Sequence, residues 1–448
     1  MVDNVKYPES GATDIATHEF AAVQYQKMLA NFLAGGNVPI NVSTLNGLPI
    51  APSAGIAGAF GEFRTSEPKT LFSSIPRYDE EGVLFENNVV GSATINHDAN
   101  KASVSLNVTA LVGDTATRQS RVYIPYQAGH GQVFRFKFML GSPLAGLERC
   151  VGCYDDDNGF FLLQDGTVGL KLVHRTSTSG SVVNTEVLQS AWNLDPLDGT
   201  GSSQATLDIS KAQHMIIDFG GSVGSIRVGF EITGRIVYSH VFLFSNTLTE
   251  QFIQHSFLPI RYELITDGTN AGSMEEYSST ALSESGFIET LTNTFGADTG
   301  IVATSVSGSD NVLIAIRPKL TINSIVNRAL IALRSFSFLS TEKAVRIRVI
   351  YGATLTGGLW TDVNSSFSSV ELNTTVTSIS GGVEAETIYS KGESNAGSDI
   401  RNKYPLALNS AGGHPTTPLT DTIAIVVDEI GGVGSSDSYA AMEWTELV

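Results

Sequence analysis

Charged residues are scarce in this chain. Of its 448 residues, 16% are Asp, Glu, Lys or Arg, against roughly 25% in an average soluble protein. Hydrophobic residues make up 42%, which is enough for sizeable cores. The solvent-facing positions must therefore be filled largely by Ser, Thr, Asn and Gly, and this composition is typical of β-rich proteins with hydroxyl-rich surfaces.

Basic residues are the scarcer of the two charge types. The chain has 27 Lys and Arg against 45 Asp and Glu, a formal net charge of -18. Because phosphate contacts need clustered Lys and Arg, this balance disfavours nucleic-acid binding. The acidic charge is interpreted first as a contribution to solubility, with steering of a charged ligand or cation binding as the alternatives.

Cysteine is nearly absent. Cys150 and Cys153 are the two in the chain, and their CxxC spacing matches a redox site or half of a metal site. A structural zinc site normally takes four Cys or His ligands, and no second pair exists here. In a strand, residues i and i+3 point to opposite faces, which also argues against a disulfide. We therefore expect two buried or half-buried free thiols.

Long hydrophobic runs and leader-like features are also missing. No run of about 18 apolar residues occurs, and the first 20 residues lack a basic start followed by an apolar stretch. We expect no membrane insertion, and synthesis in the cytoplasm.

The familiar catalytic motifs are absent. There is no GxSxG, HExxH or P-loop, and the glycine pairs lack GxGxxG order. A glycosidase would need two carboxylates a few Å apart, which the sequence spacing of Glu148, Asp155 and Asp165 cannot show. His174, His214 and His240 lie in strand-like stretches and are interpreted as structural. We predict no enzymatic activity, no catalytic residue and no cofactor.

One acidic cluster, Asp155 to Asp157 followed by Asn158 and Gly159, is the best metal candidate. Calcium takes hard oxygen ligands from such loops. The calcium-loop motif is not matched, because Gly159 stands where the third ligand should be and Val168 where the Glu should be. A solvated acidic turn is favoured, and no metal site is predicted.

Residues 1–90 are predicted to form a short helix and an extended docking arm. The helix candidate is HEFAAVQYQKMLANFLAGG, with Thr17 as N-cap and Gly35 and Gly36 as the stop. The segment after it is rich in Pro and Gly and cannot form a core alone. We expect it to lie along another surface as an arm, with a flexible linker as the alternative.

The rest of the chain alternates between apolar and polar residues. In QVFRFKFML, Phe134, Phe136 and Phe138 alternate with mostly polar residues, and in AVRIRVIYG, Val345 and Ile347 do the same. Many short strands without helices between them indicate β-sandwiches rather than a parallel α/β fold. The predicted fold class is mainly β, with two antiparallel β-sandwich, jelly-roll-like domains at residues 91–290 and 291–448.

Four aromatic residues are weak candidates for ligand binding: Tyr123, Tyr126, Trp192 and Trp360. Exposed aromatic rings can stack on the faces of sugars. The alternative is that each belongs to a core or an interface.

Several stretches carry a family resemblance. They are RQSRVYIPYQAGHG, the run from CVGCYDDDNG to LVHRTS, the stretch from WNLDPLDGTG to the IRVGF strand, and LPIRYEL. The segment from about 91 to 290 resembles a β-sandwich region of structural proteins of tailed bacteriophages, especially marine and cyanobacterial ones. The C-terminal part, with RALIALRSFSFLS, GGLWTDV and PLTDTIAIVV, is similar to the domain that usually follows.

This resemblance implies a structural component of a virion, assembled inside the host cell. The expected partners are further copies of the chain, in a homo-oligomer and possibly a trimer, and other capsid or tail proteins. Such a protein is displayed as a knob, decoration or fibre element, docked by its N-terminal arm. The alternative is a receptor-binding module that recognises host surface glycans.

Overall fold

The structure is a computed structural model, and strands account for 56% of it. It describes residues 4–5, 15–20, 23–26, 67–221, 223–284, 286, 293–301, 304–308, 310–391, 394–399, 421–431 and 435–447. In these ranges there is no α-helix, and a single 3₁₀ turn occurs at Gln189–Ala191. The prediction of a mainly β chain is confirmed.

Three short strands lie near the N-terminus and form an antiparallel sheet: β1 (Asn4–Val5), β2 (Ile15–Phe20) and β3 (Val23–Gln26). The predicted helix is not seen, since its first residues pair as a hairpin, with Thr17 opposite Gln26 and Phe20 opposite Val23. The helical periodicity was imperfect, and the β-branched residues Ile15, Thr17 and Val23 favour strands. The rest of the helix prediction, and the arm up to residue 66, lies outside the described residues.

Fifteen strands then build two facing antiparallel sheets, called here the first sandwich. One has seven strands in the order β13-β12-β11-β10-β17-β8-β5, and the other has the order β16-β15-β14-β9-β18-β7-β6, with β4 also paired to β18. The strands are β4 (Lys69–Ser74), β5 (Phe85–Val90), β6 (Thr94–Asp98), β7 (Ser103–Val108), β8 (Thr115–Ser120), β9 (Gln132–Met139), β10 (Leu147–Tyr154), β11 (Gly159–Asp165), β12 (Gly169–Thr176), β13 (Val183–Leu188), β14 (Gln213–Phe219), β15 (Ser225–Ile232), β16 (Arg235–Leu243), β17 (Ile260–Thr266) and β18 (Gly272–Ser283).

The chain crosses repeatedly between these two sheets, as in a jelly-roll-like sandwich. Strand β9 lies in one sheet while its neighbours in sequence, β8 and β10, lie in the other. The aromatic face of β9, Phe134, Phe136 and Phe138, is fully buried between the sheets. Strands β4 and β5, which precede residue 91, pair with β18 and β8 in these two sheets.

Fifteen further strands form the second sandwich, with its own hydrophobic core. Its sheets have the orders β19-β33-β24-β31, with β20 also paired to β33, and β27-β28-β21-β32-β25-β30. The hairpin β22-β23 and the pair β26-β29 form two further two-stranded sheets. The strands are β19 (Asn293–Asp298), β20 (Thr304–Val306), β21 (Asn311–Pro318), β22 (Thr321–Ile322), β23 (Ile325–Val326), β24 (Leu330–Ser340), β25 (Val345–Tyr351), β26 (Thr354–Thr356), β27 (Thr361–Asp362), β28 (Val370–Asn373), β29 (Ser378–Ser380), β30 (Val383–Ser390), β31 (Ser394–Asp399), β32 (Ile423–Glu429) and β33 (Ser436–Leu447).

Residues 66–448 form one compact unit, separate from residues 1–65. The two sandwiches within it have distinct cores, one running from Phe72 to Ala281 and the other from Val306 to Trp444. Their division into independent domains remains a prediction. None of the described segments is a helix with the length and apolarity needed to span a membrane.

Candidate functional site

The acidic loop, residues 155–158, joins β10 to β11. Asp155 is fully buried, and its Oδ1 accepts hydrogen bonds from the backbone N–H of Asp157 at 2.9 Å and of Asn158 at 2.7 Å. The Asp155 N–H in turn donates to the carbonyl of Asn158. Because a carboxylate that accepts local N–H bonds closes a tight turn, this loop is held in one conformation by its own first residue.

Arg328 approaches this loop from the second sandwich, two residues before β24. Its guanidinium is 3.0 Å from Asp155 Oδ2 and 3.1 Å from Asp157 Oδ2. It also lies over the ring of Tyr123, 5.8 Å from the centroid. We call this arrangement the Arg328 clamp. It ties the two sandwiches together through a charge pair that is almost entirely removed from solvent.

The charge on Asp155 is stabilised by its surroundings. Burial alone would raise the pKa of Asp155, but His255, the Arg328 guanidinium and the Asn158 N–H lower it to about 2. His255 Nε2 lies 3.3 Å from Asp155 Oδ2. The carboxylate is therefore ionised across the physiological range, and it acts as an anchor for cations rather than as a proton donor.

A second arginine holds the remaining member of the acidic cluster. Arg261 on β17 donates to Asp156 Oδ1 and to Glu263 Oε1, both at 2.6 Å. Its guanidinium also lies 5.2 Å from the ring centroid of Tyr154. All three aspartates of the loop thus have an arginine partner.

These arginine contacts affect whether the acidic loop could bind calcium. A calcium ion would need several oxygen ligands free to turn towards it, whereas Asp155, Asp156 and Asp157 each point at a guanidinium. Over the ranges that the structure describes, no group of three or more His, Cys, Asp or Glu side chains is arranged to hold a metal.

Glu148 and Asp165 face each other across β10 and β11, and cross-strand neighbours have Cβ atoms roughly 5 Å apart. Burial, and then the charge of Asp165, raises the pKa of Glu148. The Asp165 oxygens are both occupied, one by the N–H groups of Thr167 and Val168 and the other by Lys171 at 3.1 Å. Asp165 therefore stabilises the turn between β11 and β12.

The three histidines have structural contacts. His174 is buried, with Nε2 2.9 Å from the carbonyl oxygen of Phe252, and burial lowers its pKa to about 4. His214 Nδ1 lies 2.6 Å from Glu231. The Nδ1 of His240 accepts the backbone N–H of Asn193 at 3.2 Å.

Two of the aromatic candidates, Trp192 and Tyr123, are buried. Trp192 is 4% exposed, donates from Nε1 to the carbonyl of Val187 at 3.3 Å and stacks on Phe230 with centroids 6.1 Å apart. Tyr123 is also 4% exposed, beside the Arg328 clamp, where burial raises its pKa. Neither ring face is open to a sugar in this conformation.

The other two candidates, Tyr126 and Trp360, are half-buried. Tyr126 meets Phe219 edge to face at 5.7 Å in the first sandwich. Trp360 packs on a small apolar cluster of the second sandwich that is separate from its main core, and the Arg317 guanidinium covers its ring at 4.2 Å. Trp360 thus lies in a different sandwich from the other three candidates. A ligand-binding role for any of them remains a prediction.

Cys150 and Cys153 are free and buried, as predicted. They lie on opposite faces of β10, with Cys153 in the main core and Cys150 in a small cluster on the outer face of the sheet. Burial raises the pKa of Cys153 to about 12, and it raises that of Cys150 as well. Because the thiolate is the reactive species, both thiols are chemically quiet at neutral pH.

The second sandwich has an open polar cleft of about 320 Å³. Its walls come from the β22–β23 hairpin and from the β27–β28 hairpin at the edge of the six-stranded sheet. Two ion pairs lie inside it, Arg317 with Glu371 at 2.7 Å and Lys319 with Asp362 at 3.4 Å. The four charges cancel, so the cleft has no preference for an ion of one sign.

Sequence reasoning missed the residues that organise the acidic loop. Arg328 is 173 positions away from Asp155, and Arg261 is 105 positions from Asp156. Nothing in the sequence around either arginine marks it as a partner. A weak signal did exist, since a tight run of three aspartates predicted for a folded region needs compensating cations nearby.

Comparison with known proteins adds little. No family model matches this chain, and a search of the curated proteins finds no match. Solved structures with some similarity include a protein of unknown function from Shewanella oneidensis (9% identity, covering 50% of this chain and 88% of that one, TM-score 0.33). Arcelin-5, a lectin-like defence protein from Phaseolus vulgaris, is 11% identical, with 49% of this chain and 99% of that one covered and a TM-score of 0.32. A putative β-glucanase from Mycobacterium abscessus is 9% identical, with 48% of this chain and 100% of that one covered and a TM-score of 0.33. Scores this low support no inference about this chain.

Proposed function

We propose that this chain is a non-enzymatic structural component of a bacteriophage virion, displayed on the capsid or tail as a knob, decoration or fibre element. The observation that supports a mechanical role is the Arg328 clamp. The acidic loop is the most chemically equipped cluster among the described residues, and each of its carboxylates is engaged by an arginine. The Asp155–Arg328 pair is buried and joins the two sandwiches, and in this proposal it holds them in one arrangement, as a mechanical component requires.

The assembled form is a homo-oligomer, with a trimer as the first candidate, attached to other capsid or tail proteins. Closed point-group symmetry is the usual form of such assemblies. In this proposal the residues before Ser66 serve as the docking arm, while residues 66–448 are the displayed unit.

The direct test is the composition of the particle. An antibody raised against the purified chain should label virions of the phage that encodes it, and peptides of the chain should persist through density-gradient purification. A chain that is abundant in the lysate but missing from the purified particles would disprove the proposal.

The docking arm has its own test. A chain lacking residues 1–60 should still fold, because the two hydrophobic cores lie entirely within residues 66–448. It should no longer enter the particle, whereas a full-length chain with the same tag should. Normal incorporation of the shortened chain would exclude the arm as the attachment device.

The enzymatic alternative predicts cleavage of host polysaccharide. We expect incubation of the chain with polysaccharide from the host surface to release no new reducing ends. Release of reducing ends that is lost in Glu148→Gln would instead assign a hydrolase.

The glycan-binding alternative rests on the four aromatic candidates. Tyr126 and Trp360 keep part of their surface exposed, so they are the positions to test. Saturable binding to the host envelope that weakens in Tyr126→Ala or Trp360→Ala would favour this function over a purely mechanical one.

A further inference from the structure

A long connection joins β16 to β17 and packs against the acidic loop and β12. Residues 244–259, which form it, contain no strand. Residues 245–251 are exposed, whereas Phe252 and Ile253 are buried. We call residues 244–259 the strap, and its buried part begins at Phe252.

The strap supplies half of the aromatic rings that surround His174 on β12. The ring centroids of Phe160 and Phe244 each lie 4.9 Å from that of His174, those of Phe252 and Phe242 at 5.7 Å and 6.2 Å. Phe244 and Phe252 belong to the strap and stack on each other at 3.9 Å. The Phe252 carbonyl also lies 2.9 Å from Nε2 of His174. Removal of the strap would therefore open the imidazole to water.

Polar contacts connect the same segment to the acidic loop and to the end of β12. The backbone N–H of Gln254 donates to Asn158 Oδ1 at 3.1 Å, and Oε1 of Gln254 accepts the Ser177 hydroxyl at 2.8 Å. His255 Nε2 lies 3.3 Å from Asp155 Oδ2. The strap is thus in contact with the first residue of the Arg328 clamp.

Backbone hydrogen bonds to the sandwich occur at the C-terminal end of the strap. The carbonyls of Leu258 and Pro259 accept the N–H groups of Ile124 at 3.0 Å and Tyr154 at 3.1 Å. Within the described part of the chain, no backbone group of residues 245–257 bonds to the backbone of a strand. Segments without ladder hydrogen bonds open at lower free energy than paired strands. The strap can therefore separate from the sandwich without unpairing either sheet.

His174 has no charged neighbour that would stabilise a proton on its ring. The residues of β11, β13 and the strap that lie against it are uncharged: Phe160, Thr185 and Phe252. On β16 the titratable group of this cluster is His240, which contacts the Phe242 ring at 4.6 Å. Burial lowers the pKa of His174 to about 4, against the opposing effect of the Phe252 carbonyl. A hydrated imidazole titrates near 6.5.

We propose that the strap is an acid-released cover. When His174 binds a proton, the strap separates from the aromatic cluster and turns about Leu258 and Pro259, while both sheets of the first sandwich stay paired. The physical reason is that an imidazolium among phenyl rings lacks both water and a counter-ion, and opening restores its hydration. The inference does not depend on a virion function.

Opening of the strap also changes the acidic loop. His255 moves away from Asp155, and Gln254 releases Asn158. The Arg328 guanidinium then remains as the cationic partner of Asp155 from the second sandwich. Acid thus acts on the loop at which the two sandwiches meet, through a histidine that lies outside that loop.

The test is hydrogen exchange of the full-length chain at pH 7, 5 and 4, read by mass spectrometry in peptides from residues 252–257. Rates are expressed as protection factors, which removes the direct effect of pH on exchange. A ring that titrates near 6.5 when open and near 4 when closed favours the open state roughly 100-fold more at pH 4 than at pH 7. We expect protection of the strap to fall by about this factor, with β9 and β10 still protected.

Two variants assign the effect to one histidine. His174→Gln keeps a donor for the Phe252 carbonyl but does not titrate, so its strap should keep the same protection at all three pH values. His255→Gln removes the titrating group on the strap itself and should behave as the wild type. Should His174→Gln fail to fold, His174→Phe replaces it.

Four results overturn the proposal. They are a wild-type strap without protection at pH 7 or with equal protection at pH 7 and pH 4, loss of protection in β9 and β10 to the same extent as in the strap, a pH response that survives replacement of His174, and a response that disappears in His255→Gln.

Discussion

At the scale of single residues, Arg328 has the largest expected effect on stability. Replacing it by Met leaves Asp155 ionised and buried without its main cationic partner from the second sandwich. Removing one member of a buried pair costs about 3 kcal/mol or more. We therefore expect Arg328→Met to lower the free energy of unfolding by about 3 kcal/mol, measured by urea denaturation.

A surface pair of similar length provides the control for this prediction. Arg227 and Asp218 are 2.8 Å apart, but the Arg227 side chain is 50% exposed. Pairs of this kind contribute about 1 kcal/mol or less. If Arg227→Met and Arg328→Met lowered the free energy of unfolding equally, burial of the clamp would have no energetic consequence, contrary to our account.

His174 gives the chain an acid-sensitive component of stability. Burial lowers its pKa to about 4, whereas an unfolded histidine titrates near 6.5. Between these values the unfolded chain binds more protons, so the contribution is complete above pH 6.5 and is lost as the pH falls towards 4. The loss should amount to about 2 to 3 kcal/mol, measured by denaturant unfolding at pH 7 and pH 4.

Replacing this histidine should flatten the pH profile. His174→Leu keeps the apolar packing against Phe160 but removes the titrating ring. We expect its stability to change less between pH 7 and pH 4 than that of the wild type. The pH dependence that is left should come from His240, whose pKa is also lowered by burial. An unchanged slope in His174→Leu would exclude His174 as the source.

At the scale of strands, Gly152 in the middle of β10 is required by close packing. A Cβ at this position would lie 2.6 Å from the Cα of Phe161 on the neighbouring strand. Real side chains do not approach backbone so closely, and the sheet would have to shift. We expect Gly152→Ala to lower the free energy of unfolding by at least about 2 kcal/mol.

Gly296 in β19 is the matched control for this change. A Cβ there would meet the Met442 carbonyl oxygen at 3.5 Å, an ordinary contact. Since alanine also restricts the unfolded chain, Gly296→Ala should be neutral or slightly stabilising. A tolerated Gly152→Ala, with an unfolding midpoint equal to the wild-type value, would show that β10 and β11 are not packed as described.

How far strands can be predicted depends on whether one face is buried. The alternation in β9 and β25 placed Phe134 and Ile347 correctly in the cores, because a half-buried strand must put apolar residues at every second position. The helix proposed near Phe20 failed because apolar residues were frequent there without a clear period. Strand β4 was missed for a similar reason, since only Phe72 and Ser74 of its six residues are buried.

At the scale of the whole molecule, the composition predicted a charge-poor β protein, and the charged residues proved to be the least predictable part. The acidic loop was visible as a cluster, but its partners Arg261 and Arg328 come from distant parts of the sequence. Strand order determines which charges meet, and it depends on long-range packing that local patterns do not encode.

Because of the net charge of the whole chain, we expect self-association to depend on the salt concentration. Two copies, each with a formal charge of -18, repel each other at long range, and this repulsion is screened beyond about 10 Å at 0.1 M salt. Raising the salt concentration from about 0.02 M to about 0.3 M should therefore strengthen association of the wild type, measured by sedimentation. Association that weakens with salt would indicate a contact dominated by ion pairs, and the interface would then have to be sought among the charged residues of the chain.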